Sequence, residues 1–165
     1  MRIELKACEK TEKDAARAFA WRNDPETVAA AYVARPKTWD SFWLEFSEYY
    51  FRLSDFSPLF VLSDGRDAGF VRFDVPDRDY GKAAELMINI APEYRGKGVG
   101  TATIEAVKTL FKAKGYERLI ADVRRQNEAS LKLFAKTGFR EESVRTEYIE
   151  RTGEICSIVR LVCLL

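Results

Sequence analysis

Apolar and polar residues alternate at the start of the chain, in "RIELKAC" (residues 2–8), which is typical of a half-buried strand. Residues 11–23 predict a helix with Thr11 as N-cap, and "NDPE" ends it. A second helix is predicted over residues 38–50. Two β-rich runs around Asp64-Gly65 and the strand "AAELMINI" (83–90) then predict an antiparallel meander.

The hydrophobic period changes in the second half of the chain. "TATIEAVKTLFKAKG" (101–115) has a helical stripe, "RLIADV" (118–123) is a strand, and "NEASLKLFAKTG" (127–138) is a short helix. Two strands about "RTGE" complete the pattern. A helical crossover implies that strands 83–90 and 118–123 pair in parallel. We therefore predict an α+β fold with a mixed seven-stranded sheet, in the order strand, two helices, three strands, helix, strand, helix, two strands.

Composition and charge narrow the function. The 165 residues fit one domain, 1–165, and no apolar run is long enough for a membrane helix or a signal peptide, so a cytoplasmic location is expected. A net charge of +1 gives no overall attraction to nucleic acid or an anionic membrane. The chain has no histidine, which excludes Ser-His and Cys-His catalysis and imidazole metal sites. The three cysteines lack the spacing of a zinc site, and no metal is expected.

The segment "IAPEYRGKGVGT" (90–101) precedes a helix and holds three glycines at alternate positions. Without side chains there, backbone amides can converge on an anion at the positive end of the helix dipole. Arg95 and Lys97 add positive charge. A turn that only starts a helix is the alternative, but it would need a single cap residue. The P-loop and dinucleotide fingerprints are absent, although Asp122 keeps a dinucleotide site as a minor alternative.

"RGKGVG" is similar to the R/Q-x-x-G-x-G/A signature of the GNAT superfamily of acyl-CoA-dependent N-acetyltransferases, with Arg95, Gly98 and Gly100 at its fixed positions. Residues 88–141 also resemble the core of that family, from its fourth strand through its last helix. The resemblance implies a GNAT fold whose fourth and fifth strands splay apart. It also implies acetyl-CoA as the co-substrate.

The resemblance assigns roles to three sets of residues. The coenzyme pyrophosphate would be held by the amides of the loop, which are those of Gly96, Lys97, Gly98, Val99, Gly100 and Thr101. The pantetheine arm would pair with the backbone of the fourth strand at Ile88, Asn89 and Ile90. The last helix, which has the spacing N-x-x-S-x-x-x-Y, would add contacts from Asn127, Ser130 and Phe134.

Two of these residues have an open interpretation. Asn127 caps its helix equally well. Phe134 departs from the family pattern, because many members have a tyrosine there whose hydroxyl protonates the leaving thiolate. Phenylalanine has no proton to donate, so water or another tyrosine would have to serve.

Direct acyl transfer needs a base, because an alkyl ammonium of pKa about 10 is mostly protonated at neutral pH. Near the splay the candidates are Glu85 and Asp122, and ordinary ion pairing is the alternative for each. Residues 39–60 are rich in aromatics, and Trp43 belongs to a helical stripe there. That stripe predicts core packing, a stacking wall for the acceptor, or a homodimer contact.

"AWRNDPETV" (20–28) resembles the end of the first helix in the subgroup that acetylates amino-sugar nucleotides, and similar runs occur in ribosomal-protein and polyamine acetyltransferases. Arg22 and Asn23 are therefore candidate acceptor contacts. The predicted function is transfer of an acetyl group to a primary amine of a small molecule, with an amino-sugar nucleotide as one candidate. A protein N-terminal acetyltransferase and a non-catalytic acyl-CoA-binding module are the alternatives.

Overall fold

Seven strands and five α-helices make up the computed structural model, which describes residues 1–165. In chain order they are β1 (Ile3–Ala7), α1 (Glu12–Arg22), α2 (Pro25–Ala30), α3 (Trp39–Tyr49), β2 (Leu59–Ser63), β3 (Arg66–Asp74), β4 (Ala83–Ile90), α4 (Val99–Ala113), β5 (Arg118–Arg124), α5 (Glu128–Lys136), β6 (Arg140–Ile149) and β7 (Glu154–Leu164). A single turn of 3₁₀-helix, Pro92–Tyr94, lies between β4 and α4.

All seven strands form one sheet in the order β1-β2-β3-β4-β5-β7-β6. The first four strands form the predicted antiparallel meander, and β7 lies between β5 and β6. Only β4 and β5 are parallel, as the helical crossover requires. The predicted α+β fold with a mixed seven-stranded sheet is therefore confirmed.

The pairing of β4 with β5 is short. It covers three residue pairs and ends at Glu85 opposite Ile120, although β4 continues to Ile90 on its β3 side. Beyond Glu85 the two strands separate, which is the splay that the family resemblance implied. The open edge of β4 is the feature of the fold that matters most for the site.

Each face of the sheet is covered by its own helices and its own core. The larger core packs α4 and α5 against one face and is centred on residues such as Phe73, Leu86, Ile104 and Phe111. On the other face, α1 and α3 bury a smaller cluster that includes Phe42, Phe46, Phe60 and Phe70. Five of the eight buried residues of this second core are aromatic.

One helix was not predicted. The "NDPE" segment does end α1, but the side chain of Asp24 also accepts hydrogen bonds from the backbone N–H groups of Glu26 and Thr27. With Pro25 at the first helical position, these contacts start the short helix α2. The same four residues thus act as a stop and as a new start.

Candidate functional site

The glycine loop leads directly into α4. Gly96 and Gly98 have φ values of +69° and +82°, a conformation that other residues rarely adopt. None of the six consecutive backbone N–H groups from Gly96 to Thr101 donates a hydrogen bond within the protein. Unpaired donors at a helix N-terminus are the groups that bind phosphate in many proteins.

The start of α4 differs from the start of the other α-helices. A side chain caps each of α1, α2, α3 and α5, and the caps are Thr11, Asp24, Thr38 and Asn127. Gly98 caps α4 without a side chain, and the first turn of α4 has no acidic residue. The N-terminus of this helix therefore keeps both its donors and its positive dipole end available for an anion.

Helix α5 packs closely against the first turn of α4. A Cβ atom on Gly100 would lie 3.2 Å from Cδ2 of Leu133 on α5, so glycine permits the approach of α5 to α4. Gly100 is thus needed for packing as well as for access to its amide.

The side chain of Arg95 is not free for a phosphate. Its five N–H groups form five hydrogen bonds: Nε donates to the carbonyl of Ile90 at 3.0 Å, and the two terminal nitrogens bond Asp24, Glu26 and Thr27 at 2.6 to 3.1 Å. These contacts, Asp24 first among them, raise the pKa of the guanidinium. The structure gives Arg95 a positioning role, since it ties the loop to α2. Lys97 is exposed beside the unpaired amides.

The open edge of β4 presents backbone groups of two of the three predicted residues. Successive residues of an antiparallel strand direct their N–H and C=O groups to opposite edges. The amide of Ala91 bonds to β3, whereas the carbonyl of Ile90 accepts from Arg95 on the other side. Ile88 and Ile90 therefore face the open edge. The carbonyl of Asn89 lies against Gly69 of β3, so its backbone is not available there.

Helix α5 places its three predicted residues differently. The Oδ1 atom of Asn127 accepts from the amide of Ser130 at 3.1 Å, so Asn127 is the helix cap that its position suggested. Its Nδ2 group and the Ser130 hydroxyl form no hydrogen bond within the protein. Phe134 is buried and packs edge-on against Phe139, with ring centroids 4.9 Å apart. Phe134 therefore belongs to the larger core.

Glu85 lies where the splay begins, on the sheet face opposite the larger core. Burial raises the pKa of its carboxyl to about 7, and the nearby charge of Asp122 adds to the shift, while Arg160 opposes it. Its Oε2 atom lies 3.6 Å from Nη2 of Arg160. A carboxyl that titrates near neutral pH is suited to accept a proton from an amine.

Asp122, the other candidate base, is held in an ion network. Arg160 donates to both of its oxygens at 2.8 Å, and Arg145 donates to Oδ2 at 2.8 Å. Burial disfavours its charged form, but the hydrogen bonds from Arg160 and Arg145 outweigh burial and lower the pKa of this carboxyl. Asp122 is therefore a weak base. It anchors the buried Arg160, which also contacts Asp77.

A cleft of about 430 Å³ opens between α3 and β3. Asp74 lines it and is the cross-strand partner of Glu85, so the cleft adjoins the candidate base. The other lining residues are Ser41, Leu44, Glu45, Tyr49, Arg72 and Arg151. Sequence reasoning missed these residues. Two of them, Arg72 and Asp74, could have been found from the sequence. They are charged residues that alternate with the buried residues Val71 and Phe73 on a central strand.

The predicted acceptor contacts take up other positions. Both side-chain polar atoms of Asn23 bond to the backbone of Lys37, at 2.7 and 2.8 Å, so Asn23 fixes the segment that leads into α3. Trp43 stacks on Trp39 and Phe46 in the aromatic core and does not line the cleft. Arg22 donates to the carbonyl of Val33, and its Nη1 atom is buried without a partner.

Residues 2–140 match the family model described as an acetyltransferase (GNAT) domain. The chain belongs to the GNAT family. Its predicted identity as an acetyl-CoA-dependent N-acetyltransferase is thereby confirmed. The unpaired loop amides and the open edge of β4 fit the pyrophosphate and the amide-bearing arm of acetyl-CoA, which is the co-substrate.

Two relatives from Bacillus subtilis illustrate the range within the family. One, provisionally named a [ribosomal protein bS18]-alanine N-acetyltransferase, is 30% identical over 127 residues, which cover 77% of this chain and 80% of the relative. Another, provisionally named a phosphinothricin acetyltransferase, is 34% identical over 101 residues, or 59% of this chain. The matched region spans 62% of the length of that second relative.

Solved structures show the same fold. A crystal structure described as a phosphinothricin N-acetyltransferase, again provisionally, has a TM-score of 0.79 at 24% identity, with 99% of each chain covered. An aminoglycoside acetyltransferase in complex with ribostamycin and coenzyme A has a TM-score of 0.81 at 15% identity, with 99% of this chain and 94% of that chain covered. Both comparisons support the GNAT fold.

Two further findings concern other kinds of site. No group of three or more cysteine, aspartate or glutamate side chains lies close enough together to hold a metal ion. No helix combines the length and the apolar character needed to cross a membrane.

Proposed function

We propose that this GNAT protein transfers the acetyl group of acetyl-CoA directly to a primary amine of a small molecule, with Glu85 as the base. The observation that carries the proposal is the position of Glu85. It lies at the start of the splay and next to the cleft, and the pKa of its carboxyl is about 7.

Two groups of β4 take part in the proposed reaction: the carboxyl of Glu85 and the backbone amides at the open edge of the strand. Acetyl-CoA supplies a thioester, whose carbonyl carbon is attacked by the amine and whose thiolate leaves. Glu85 takes the proton that the amine loses on attack, and its raised pKa reduces the mismatch with an amine of pKa about 10. In this proposal, the open-edge amides of Ile88 and Ile90 donate to the pantetheine arm or the thioester oxygen. No side chain here is suited to form a covalent acyl intermediate.

The departing thiolate has no tyrosine at the family position. Phe134 fills that position and is buried against Phe139. A thiol of pKa about 8.5 is a tolerable leaving group at neutral pH, so protonation by water suffices.

A small-molecule acceptor is supported by the shape and lining of the cleft. Side chains from α3, from β3 and from the β6–β7 turn, where Arg151 lies, line it. About 430 Å³ is within the usual range for a small ligand. An amino-sugar nucleotide remains one candidate, and it is supported by a structural neighbour of the same fold, an aminoglycoside acetyltransferase that was solved in complex with ribostamycin.

A protein N-terminal amine is the second candidate acceptor. It is favoured by the relative provisionally named a ribosomal-protein alanine acetyltransferase, which matches 77% of this chain. A peptide acceptor would need to place only its terminal residue in the cleft beside Glu85.

Thiol release from acetyl-CoA tests the proposal. Wild-type protein is assayed against amino sugars, polyamines, amino acids and short peptides, with Glu85→Gln and Asp122→Asn as variants. We expect turnover with a small amine and a loss of about 10²- to 10⁴-fold in Glu85→Gln, with coenzyme affinity kept. Preference for peptides would favour the N-terminal acetyltransferase. Tight coenzyme binding without turnover on any amine would indicate an acyl-CoA-binding module.

A further inference from the structure

Two arginines that line the cleft beside Glu85 have no acidic partner. Arg72 and Arg151 line it, and neither forms an ion pair with a carboxylate of the protein. Arg72 instead lies over the ring of Tyr50, with its guanidinium carbon 4.4 Å from the ring centroid. Most other arginines that lie on this side of the sheet, such as Arg124 and Arg145, do have an acidic partner.

Two more cations, Lys37 and Arg22, lie near these arginines. Lys37 forms an ion pair with Glu45, one of the two carboxylates that line the cleft. Arg22 has no acidic partner, and its Nη1 atom is buried with no hydrogen-bond acceptor. A buried guanidinium N–H without an acceptor is costly, because the lost hydration is not replaced.

The titration of these groups reflects their crowding. Burial lowers the pKa of Lys37 to about 8, and the charges of Arg22, Arg72 and Arg151 act in the same direction. Burial also lowers the pKa of Arg22, and the charge of Arg72 adds to that effect. Lys37 therefore lies within electrostatic reach of all three arginines, and Glu45 and Asp74 are the two carboxylates that line the same cleft.

We infer that the acceptor carries an anionic group, a carboxylate or a phosphoryl group, that binds between Arg72 and Arg151 while its amine lies toward Asp74 and Glu85. This inference rests on the proposed function and specifies its substrate class. A planar guanidinium group can donate two hydrogen bonds to the paired oxygens of a carboxylate or of a phosphoryl group. The two arginines are therefore suited to either anion. The negative charge of Asp74, next to Glu85, attracts the ammonium end of such a molecule. This attraction fixes the direction in which the acceptor binds.

Matched acceptor pairs test the inference. Glucosamine 6-phosphate is compared with glucosamine, and β-alanine with β-alaninamide, by kcat/KM in the thiol-release assay. The two pairs distinguish a phosphoryl from a carboxylate source. We expect at least one charged member to exceed its neutral partner about 10-fold or more. Arg72→Gln and Arg151→Gln should each reduce that ratio to about 3-fold or less, whereas Arg72→Lys should keep part of it.

Arg66→Gln is the matched control, because Arg66 is an arginine of the same strand that lies outside the cleft and has no ion pair. It should leave the charged-to-neutral ratio unchanged. Equal rates for both members of both pairs, or an equal effect of Arg66→Gln and Arg72→Gln, would overturn the inference while leaving the proposed acetylation intact.

Calorimetric binding of the same four amines separates the two failures. If no amine is acetylated, the proposed function fails, and binding decides the inference alone. Tighter binding of a charged member that is weakened in Arg72→Gln supports an anion site. Absence of any difference between charged and neutral members refutes it.

Discussion

Replacing Glu85 with glutamine should make the protein more stable at alkaline pH while removing its activity. The pKa of this carboxyl is about 7 instead of 4.5, chiefly because the side chain is buried and only 20% of it is exposed. A rise in pKa from 4.5 to about 7 corresponds to a cost of about 3 kcal/mol for the ionised carboxylate in the folded protein. The attraction to Arg160 is already contained in the raised pKa, and glutamine only approximates the protonated carboxyl, so we expect a net gain of about 1 to 3 kcal/mol.

The sign follows from proton binding. The folded-state pKa of Glu85 lies above its unfolded value, so the folded protein holds the proton more tightly. The destabilisation from Glu85 is therefore absent below pH 4.5, grows between about pH 4.5 and 7, and is complete above pH 7. The gain in Glu85→Gln should be close to zero at pH 4.5 and reach its full size at pH 8.5.

Urea unfolding followed by tryptophan fluorescence measures the difference at these two pH values. Glu48→Gln is the control, since Glu48 is exposed on α3 and forms no ion pair. A stability difference between Glu85→Gln and wild type that is the same at pH 4.5 and 8.5 would refute the reasoning. So would a variant that is less stable than wild type at pH 8.5.

Three further predictions concern the neighbouring elements. Asp122→Asn removes a negative charge near Glu85 and should move the acidic limb of the kcat/KM profile to lower pH, and an unmoved limb would contradict the charge coupling. Gly100→Val places a side chain 3.2 Å or less from Leu133 and beside the loop amides, so the Kd for coenzyme A measured by calorimetry should rise about 10-fold or more; unchanged affinity would rule out the pyrophosphate assignment. Phe134→Ala should lower the free energy of unfolding by about 3 to 5 kcal/mol in urea, whereas a wild-type value would show that Phe134 is not a core residue.

The fold was largely predictable because its signals are local. Alternation in the strands, the Asp64-Gly65 turn and the single helical crossover determined the sheet, and the glycine spacing located the loop. The roles of Arg95 and Asn23 were not predictable, since their partners come from distant segments or from backbone atoms that only the folded chain brings near. The two carboxylates were equivalent in the sequence, and the position of Arg160 across the sheet distinguishes them.

The cleft was the least predictable part. Its lining comes from α3, β3 and the β6–β7 turn, which lie far apart in the sequence. The aromatic stripe of residues 39–60 predicted Trp43 as an acceptor contact, but Trp43 packs in the aromatic core. The polar side of the same helix, with Ser41 and Glu45, faces the cleft. An aromatic core and a polar site thus share one helix.

Arg95 connects two parts of the molecule to which we assign different substrates. It directly precedes the six unpaired amides and bonds to α2, and α2 follows Asn23, which holds the backbone of Lys37 near the cleft. A small movement of the loop on occupation by a coenzyme would be transmitted along these hydrogen bonds to the acceptor side. Binding of one substrate should therefore change the affinity for the other. The order in which the two substrates bind should then affect turnover.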